Sequence, residues 1–225
     1  MKRLKNRLEA GRLLSEKLQN YANRSDVLVL GLPRGGVPVA FEIATALHVL
    51  LDVCIVRKIG VPSHKELAMG AIGPGEVLTV NQEVVDNWGI SDSVFQSVVE
   101  QERIELQRRD RLYRGTNPPV NVTDRTIILV DDGIATGSTL LAAIATLRHQ
   151  QPSNIIVAVP VAPRSFCLKL QQQIDRLICL IAPTRFSAIS CWYKDFSQTS
   201  DEEVQTLLKI HKLNSSSSPI PDITH

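Results

Sequence analysis

Residues 128–139, ILVDDGIATGST, constrain the chain more than any other segment. Ile128, Leu129 and Val130 belong to an apolar run without polar alternation, the pattern of a strand covered on both faces. Two adjacent carboxylates, Asp131 and Asp132, end it. Gly133, Ala135 and Gly137 then let the backbone curl tightly, and the turn feeds directly into an apolar helix. Strand, tight turn and helix in that order make one unit of a parallel α/β sheet. The same turn is an anion site, because successive N–H groups and the positive end of the helix can face one phosphate. Thr136, Ser138 and Thr139 add hydroxyl donors. Asp131 and Asp132, at the carboxyl end of the strand, can accept hydrogen bonds from a ribose diol and help hold a hydrated Mg²⁺. A sugar phosphate satisfies both halves.

The pattern recurs. Residues 26–47 read as a short apolar strand, a Gly/Pro turn and a helix with Pro38 near its first turn. A further strand is expected over residues 51–59, then a loop through Pro62 and His64. Two short β segments, 67–72 and 76–80, should flank a hairpin turn at Gly73-Pro74-Gly75. A long charged helix over residues 93–113 sets Glu105 to pair with Arg108 and Arg109. The segments NIIVAVPVA and LICLIAP add two buried strands. Leu4, Leu8, Leu14, Leu18 and Tyr21 mark an opening amphipathic helix whose role is packing. The expected architecture is α/β, a central parallel sheet with helices on both faces and a small C-terminal hood. Residues 1–213 form one domain, with the core at 26–183, the hood at 183–213 and a disordered polar tail at 214–225. Such sheets bind ligands at the carboxyl ends of their strands.

Charge narrows the partners. Lys and Arg total 25 against 23 acidic residues, so the net charge of +2 does not argue for nucleic acid or a membrane surface. No run of about 20 apolar residues is present to span a bilayer. The basic first 17 residues lack an apolar stretch, and Glu9 and Glu16 speak against a transit peptide. Cys54, Cys167, Cys179 and Cys191 form no CxxC pair and sit among apolar neighbours, which favours buried reduced thiols and a cytoplasmic protein. No GxxxxGK[ST], GxGxxG or GxSxG motif competes with the phosphate turn.

Residues 130–139 resemble the phosphoribosyl pyrophosphate signature of type I phosphoribosyltransferases: an apolar strand, two acids, then a Thr-Gly turn. The resemblance covers roughly residues 26–183. It implies that Asp131 and Asp132 contact the ribose hydroxyls and that Gly133, Ile134, Ala135, Thr136, Gly137, Ser138 and Thr139 wrap the 5′-phosphate. It also implies that Arg34, Gly35 and Gly36 in the first loop, with Arg57 and Lys58, meet the pyrophosphate. Asp131, Asp132 and Lys58 are the expected catalytic residues, and Mg²⁺ is the expected cofactor, held by Asp131 and Asp132 directly or through water. Residues 59–66 correspond to the family's mobile lid, with His64 and Lys65 as candidate contacts. Ala135 stands where members acting on 6-oxopurines commonly carry an aspartate, which argues against that substrate class. The implied reaction transfers the phosphoribosyl group to a small nitrogenous acceptor, built under a hood that contains Phe186, Trp192, Tyr193 and Phe196.

The alternative is a non-catalytic sensor of phosphoribosyl pyrophosphate or a nucleotide on the same fold; the interleaved charges of residues 100–114 speak against the basic surface a nucleic-acid regulator needs. The long helix and the β segments near Gly73 exceed what the core sheet needs, so a symmetric homodimer is expected. Asp131 and Asp132 are expected to repel each other at an accessible strand end, so that removing both is neutral or mildly stabilising.

Overall fold

The apolar runs supply five strands of one sheet, and the turns that end two of them become the loops of the site. The computed structural model describes residues 3–216. In chain order the elements are α1 (Arg7–Lys17), β1 (Val27–Gly31), α2 (Gly36–Leu47), β2 (Leu50–Val53), β3 (Arg57–Val61), β4 (His64–Ile72), β5 (Leu78–Val80), α3 (Gln82–Asn87), α4 (Asp92–Arg114), β6 (Thr126–Val130), α5 (Ser138–Arg148), β7 (Asn154–Val161), α6 (Arg164–Leu170), β8 (Arg176–Ile181) and α7 (Asp201–Ser216). Five strands pair in parallel in the order β2-β1-β6-β7-β8.

Alternation along these strands divides the core in two. Leu28, Leu30, Ile127, Leu129, Val157 and Val159 face α5 and α6. Val27, Val29, Ile128, Val130, Ile156 and Ala158 face α1 and α2. Both faces are therefore dry, which is why the strands read as unbroken apolar runs. The chain leaves β1 towards one layer and β6 towards the other. That reversal opens a crevice at the carboxyl ends of these two strands, the place where sheets of this kind bind ligands.

The expected strand over residues 51–59 divides. β2 stays in the main sheet, the chain turns away at Cys54, and β3 opens a second, antiparallel sheet in the order β3-β4-β5. The hairpin about Gly73 forms as read, with Ile72 opposite Leu78. The segment compared with a lid is itself a hairpin, in which Val61 stands opposite His64. A bulge at Gly60 lets the strands approach closely, since a Cβ there would lie 2.6 Å from Lys65 O. Local patterning could not separate a charged loop from a twisted edge hairpin.

The charged helix runs Asp92–Arg114, capped by Ser91 and by Gly115, whose φ is 64°. Glu105 meets both Arg108 and Arg109 at 2.7 Å, and the two guanidinium groups pull its carboxyl down to about 2. The opposite face of α4 buries Phe95, Val99 and Leu106 against Ile59, Met69 and Ile72 of the second sheet, with Val204 of α7 alongside. The long helix and the β segments near Gly73 therefore pack on each other within the chain. Of the expected hood, residues 183–196 lie beside the crevice, whereas α7 packs against α2, α4 and β2. It continues through Ser216, and the rest of the expected tail lies outside the described residues.

One buried ionic cluster ties this addition to the sheet. Arg114, at the end of α4, donates Nε to both oxygens of Asp52 in β2 at 3.0 Å and Nη2 to Val53 O at 2.5 Å, and it also pairs with Asp110. Asp52 accepts in addition from the N–H groups of Val53 (2.8 Å) and Val120 (3.2 Å). Asp52→Asn removes the more buried of the two carboxylates that Arg114 bonds, leaving Asp110 alone to balance its charge. Urea unfolding should show a loss of about 3–5 kcal/mol, the usual result of breaking one half of a buried pair; a loss within the error of the wild-type value would show that the cluster does not carry the junction.

Candidate functional site

The loops that follow β1 and β6 meet across the crevice. Leu32 N–H donates to Val130 O (2.9 Å), joining the two strand ends. Gly35 rests against Asp132, where an added Cβ would fall 2.6 Å from the carboxyl carbon. At Gly36 an added Cβ would fall 2.7 Å from Val130 O. The N–H of Gly36 is already given to Leu32 O (3.0 Å), so this glycine permits the approach and does not itself donate to a ligand. Arg34 is exposed, and its peptide bond with Pro33 is cis. Among the described residues, the N–H groups of Arg34 and Gly35 have no acceptor within the chain.

The loop after β6 is held at two points. Ile134 is buried in the α5 layer and gives its N–H to Val161 O (2.8 Å), so it anchors the turn and its main-chain donor is engaged within the fold. Gly137 takes φ 75° directly before α5, and a side chain there would run into the Phe166 ring of α6. Between these anchors the N–H groups of Ala135, Thr136 and Gly137 have no acceptor among the described residues, and neither does that of Gly133. Thr136 and Ser138 place their hydroxyls 3.3 Å apart at the start of α5, with Thr139 exposed beside them. Spare N–H groups, hydroxyls and a helix N-terminus together make a cradle for a phosphate.

The two carboxylates differ. Asp131 is half-buried, and its Oδ1 accepts only the N–H of Asp132 (2.8 Å). Burial, and then the charge of Asp132, push its carboxyl well above the usual range. Asp132 is buried and ion-paired. Arg7, from the first turn of α1, donates Nε at 2.8 Å and Nη2 at 2.7 Å to its Oδ2, with the two side chains 11% and 12% exposed. Burial raises the carboxyl of Asp132 as well, against the pull of Arg7. The main-chain carbonyl of Asp132 accepts from the Tyr193 hydroxyl (2.7 Å). The expectation of two accessible carboxylates is thus corrected at Asp132, which is buried and ion-paired, whereas the expected repulsion acts on Asp131. Nothing in the sequence singled out Arg7, which stands among Lys2, Arg3 and Lys5 at the start of a helix read as packing.

Arg57 and Lys58 line a cleft of about 780 Å³ beside the crevice, together with Pro33, Lys65, Ser138 and Thr139. α4 supplies its outer wall through Ser97, Gln101, Glu102 and Arg109. Arg57 pairs with Glu102 at 2.6 Å, so its charge is held in the wall and partly balanced there. The structure therefore brings together the first loop, the Arg57-Lys58 strand and the start of α5. His64 stands apart, stacked on Trp88 at 4.5 Å.

The aromatic segment divides in the same way. Trp192 and Tyr193 are buried with Leu4 and Ala10, so neither ring offers a face for stacking. Phe196 lies under the Arg7 guanidinium at 4.0 Å. Of the cysteines, all free, Cys54 and Cys167 are buried, Cys179 is partly so and Cys191 is exposed. Burial pushes the Cys54 thiol up to about 12, leaving it inert in the wall of the cleft.

A family model described as the phosphoribosyl transferase domain matches residues 2–191. A Mycobacterium tuberculosis H37Rv protein, provisionally named a phosphoribosyl transferase, is 41% identical over 208 residues, covering 92% of this chain and 47% of its own length. The chain thus spans about half the length of that curated relative. The bifunctional protein PyrR of Clostridium novyi is 26% identical over 151 residues, 67% of this chain and 65% of that protein. The crystal structure of TT1426 from Thermus thermophilus superimposes with a TM-score of 0.82 at 36% identity, covering 92% of this chain and 97% of that one.

The inequality of the carboxylates is testable by stability. A carboxyl whose folded pKa is raised binds its proton more tightly in the folded state, so its cost to stability is absent below the unfolded value and grows as the pH rises through the window above it. Asp131→Asn should therefore raise the thermal midpoint at pH 7, with the gain vanishing as the pH falls towards about 4. Asp132→Asn should lower the pH 7 midpoint, because it strands the buried Arg7 at a cost of about 3 kcal/mol. Both variants moving in the same direction at pH 7 would contradict this assignment.

Proposed function

The chain belongs to the phosphoribosyl transferase domain family, and from that premise we propose that it binds 5-phosphoribosyl 1-pyrophosphate with Mg²⁺ and transfers the phosphoribosyl group to a nitrogen nucleophile, releasing pyrophosphate. The observation that carries this reading is the cradle of unengaged N–H groups at Gly133, Ala135, Thr136 and Gly137, set between two strand-end carboxylates and a cationic cleft.

The parts divide the donor between them. The turn and the N-terminus of α5 take the 5′-phosphate. Asp131 and Asp132 accept hydrogen bonds from the ribose hydroxyls. Arg34, Gly35, Arg57 and Lys58 face the pyrophosphate. In the reaction the bond from C1 to the pyrophosphate oxygen breaks, its electron pair leaves with the pyrophosphate, and the nucleophile nitrogen bonds to C1 and gives up its proton to solvent or to the departing pyrophosphate. Lys58 and Arg57 offset the charge that develops on the leaving oxygens, a contribution that requires fixed charges in a partly dry site. Holding phosphate and ribose at separate points fixes C1 between leaving group and acceptor.

Among the described residues no group of three or more His, Cys, Asp or Glu side chains gathers to cage a metal. Asp132 Oδ2 is engaged by Arg7, whereas no cation among the described residues is bonded to Asp131. This donor set fits Mg²⁺, which is commonly carried by substrate phosphates and water with one or two carboxylates. When bound, the ion would supply charge neutralisation to the pyrophosphate, with Asp131 as its main protein contact.

Calorimetry with phosphoribosyl pyrophosphate and Mg²⁺ tests the reading. The wild type should bind, and Gly137→Val, which cannot keep the turn before α5, should bind at least about 10²-fold more weakly, a loss typical of misplaced groups at such sites. No heat of binding from the wild type would overturn the proposal. Binding without pyrophosphate release across a panel of free bases and amines would point to a sensing role on the same fold.

A further inference from the structure

Arg7 joins the N-terminal helix to the carboxylate pair, and its surroundings show what it can do. The strand-like segment before α1 is stapled to residues 191–195: Leu4 N–H donates to Trp192 O (2.9 Å), Lys194 N–H to Leu4 O (2.7 Å) and Asp195 N–H to Lys5 O (3.0 Å). Asn6 caps α1 by accepting from Glu9 N–H at 3.0 Å. These bonds fix the backbone at Arg7. Its side chain is fixed in turn. Nε and Nη2 bond Asp132 Oδ2, Nη1 donates to Ser197 O (2.6 Å), and the guanidinium lies over Phe196. Every nitrogen has a partner and the group is nearly buried, so Arg7 is not available to bind an anion itself.

Its effect must pass through Asp132. That residue is held by Arg7 at one carboxylate oxygen, by Tyr193 at its main-chain carbonyl and by Gly35 against its flank. Oδ1 is the oxygen that Arg7 does not hold, and the Asp131 carboxyl lies beside it. Without the guanidinium, the carboxylate would stand beside Asp131 with nothing to oppose the repulsion between them. A fork that bonds one oxygen through two nitrogens sets the rotamer of the carboxylate and leaves the other oxygen free.

We propose that Arg7 is a positioning residue of the donor site, which pins Asp132 by Oδ2 so that Oδ1 meets a ribose hydroxyl. The proposal rests on the reading that this crevice binds a phosphoribosyl donor, and it adds α1 to the binding machinery. A purely architectural bridge between α1 and the loop would leave the ribose and pyrophosphate sides of the crevice equally affected by its loss. A positioning role would not.

The test uses the full chain and two probes that divide the donor, ribose 5-phosphate and inorganic pyrophosphate, each titrated calorimetrically with Mg²⁺ present. Arg7→Met should weaken ribose 5-phosphate by about tenfold or more, as expected for loss of a preorganised contact, and change pyrophosphate by less than about twofold. Arg7→Lys keeps the charge but not the fork, so it should fall between wild type and Arg7→Met for ribose 5-phosphate. Far-ultraviolet circular dichroism establishes that each variant folds; if Arg7→Met does not, the contrast between the two probes in Arg7→Lys decides. Equal weakening of both probes, or undiminished binding of ribose 5-phosphate, overturns the role of Arg7 alone. Wild-type protein that binds neither probe overturns the donor-site reading and the proposal with it.

Discussion

The site depends on the contact between two loops that leave a parallel sheet in opposite directions. Leu32 N–H reaches Val130 O, and Gly35 and Gly36 press directly on Asp132 and Asp131. Side chains at those glycines would hold the loops apart. With them in contact, two acids at one strand end and the cationic edge of a second sheet face one crevice. The apolar layers beneath serve this geometry, since Leu28, Leu30, Val27 and Val29 key β1 to both helical layers and fix where its loop begins. A parallel sheet buried on both faces cannot shift register cheaply, which makes its strand ends a rigid mount.

Much of this was legible in the sequence for a definite reason. The signals that survived were local ones: unbroken apolar runs for dry strands, glycines where a turn must be tight, and small hydroxyl residues where a helix begins. They gave the order of elements, the parallel sheet and the tight turn that leads into α5. What was not legible depended on contacts between distant segments. The run from Leu51 to Ile59 reads as one strand, and its division at Cys54 follows from pairing with two different partners, β2 with β1 and β3 with β4 under α4. Ile134 reads as part of the turn, yet its burial under α5 and its bond to Val161 make it an anchor.

Arg7 is the sharpest case. It lies 125 positions from Asp132, in a run of cations that looks like any solvated helix start. Tyr193 and Phe196, read as material for stacking an acceptor, instead clamp the same aspartate and the arginine that holds it. The segment around residues 191–197 thus supports the carboxylate side of the crevice from behind. Charge at the site is distributed accordingly: Asp132 is compensated, Arg57 is compensated by Glu102, and Asp131 is the acid whose burial is not offset by a bonded cation.

The central claim is that the turn between Ile134 and α5 receives a phosphate through main-chain N–H groups that the fold leaves unengaged. Amide chemical shifts in ¹⁵N-labelled protein report on those groups one by one. Addition of ribose 5-phosphate should shift the amides of Ala135, Thr136 and Gly137 strongly, while those of Ile134 and Gly36, already bonded to Val161 O and Leu32 O, move little. Saturation of the protein with the ligand and no change at Ala135, Thr136 and Gly137 would contradict the account.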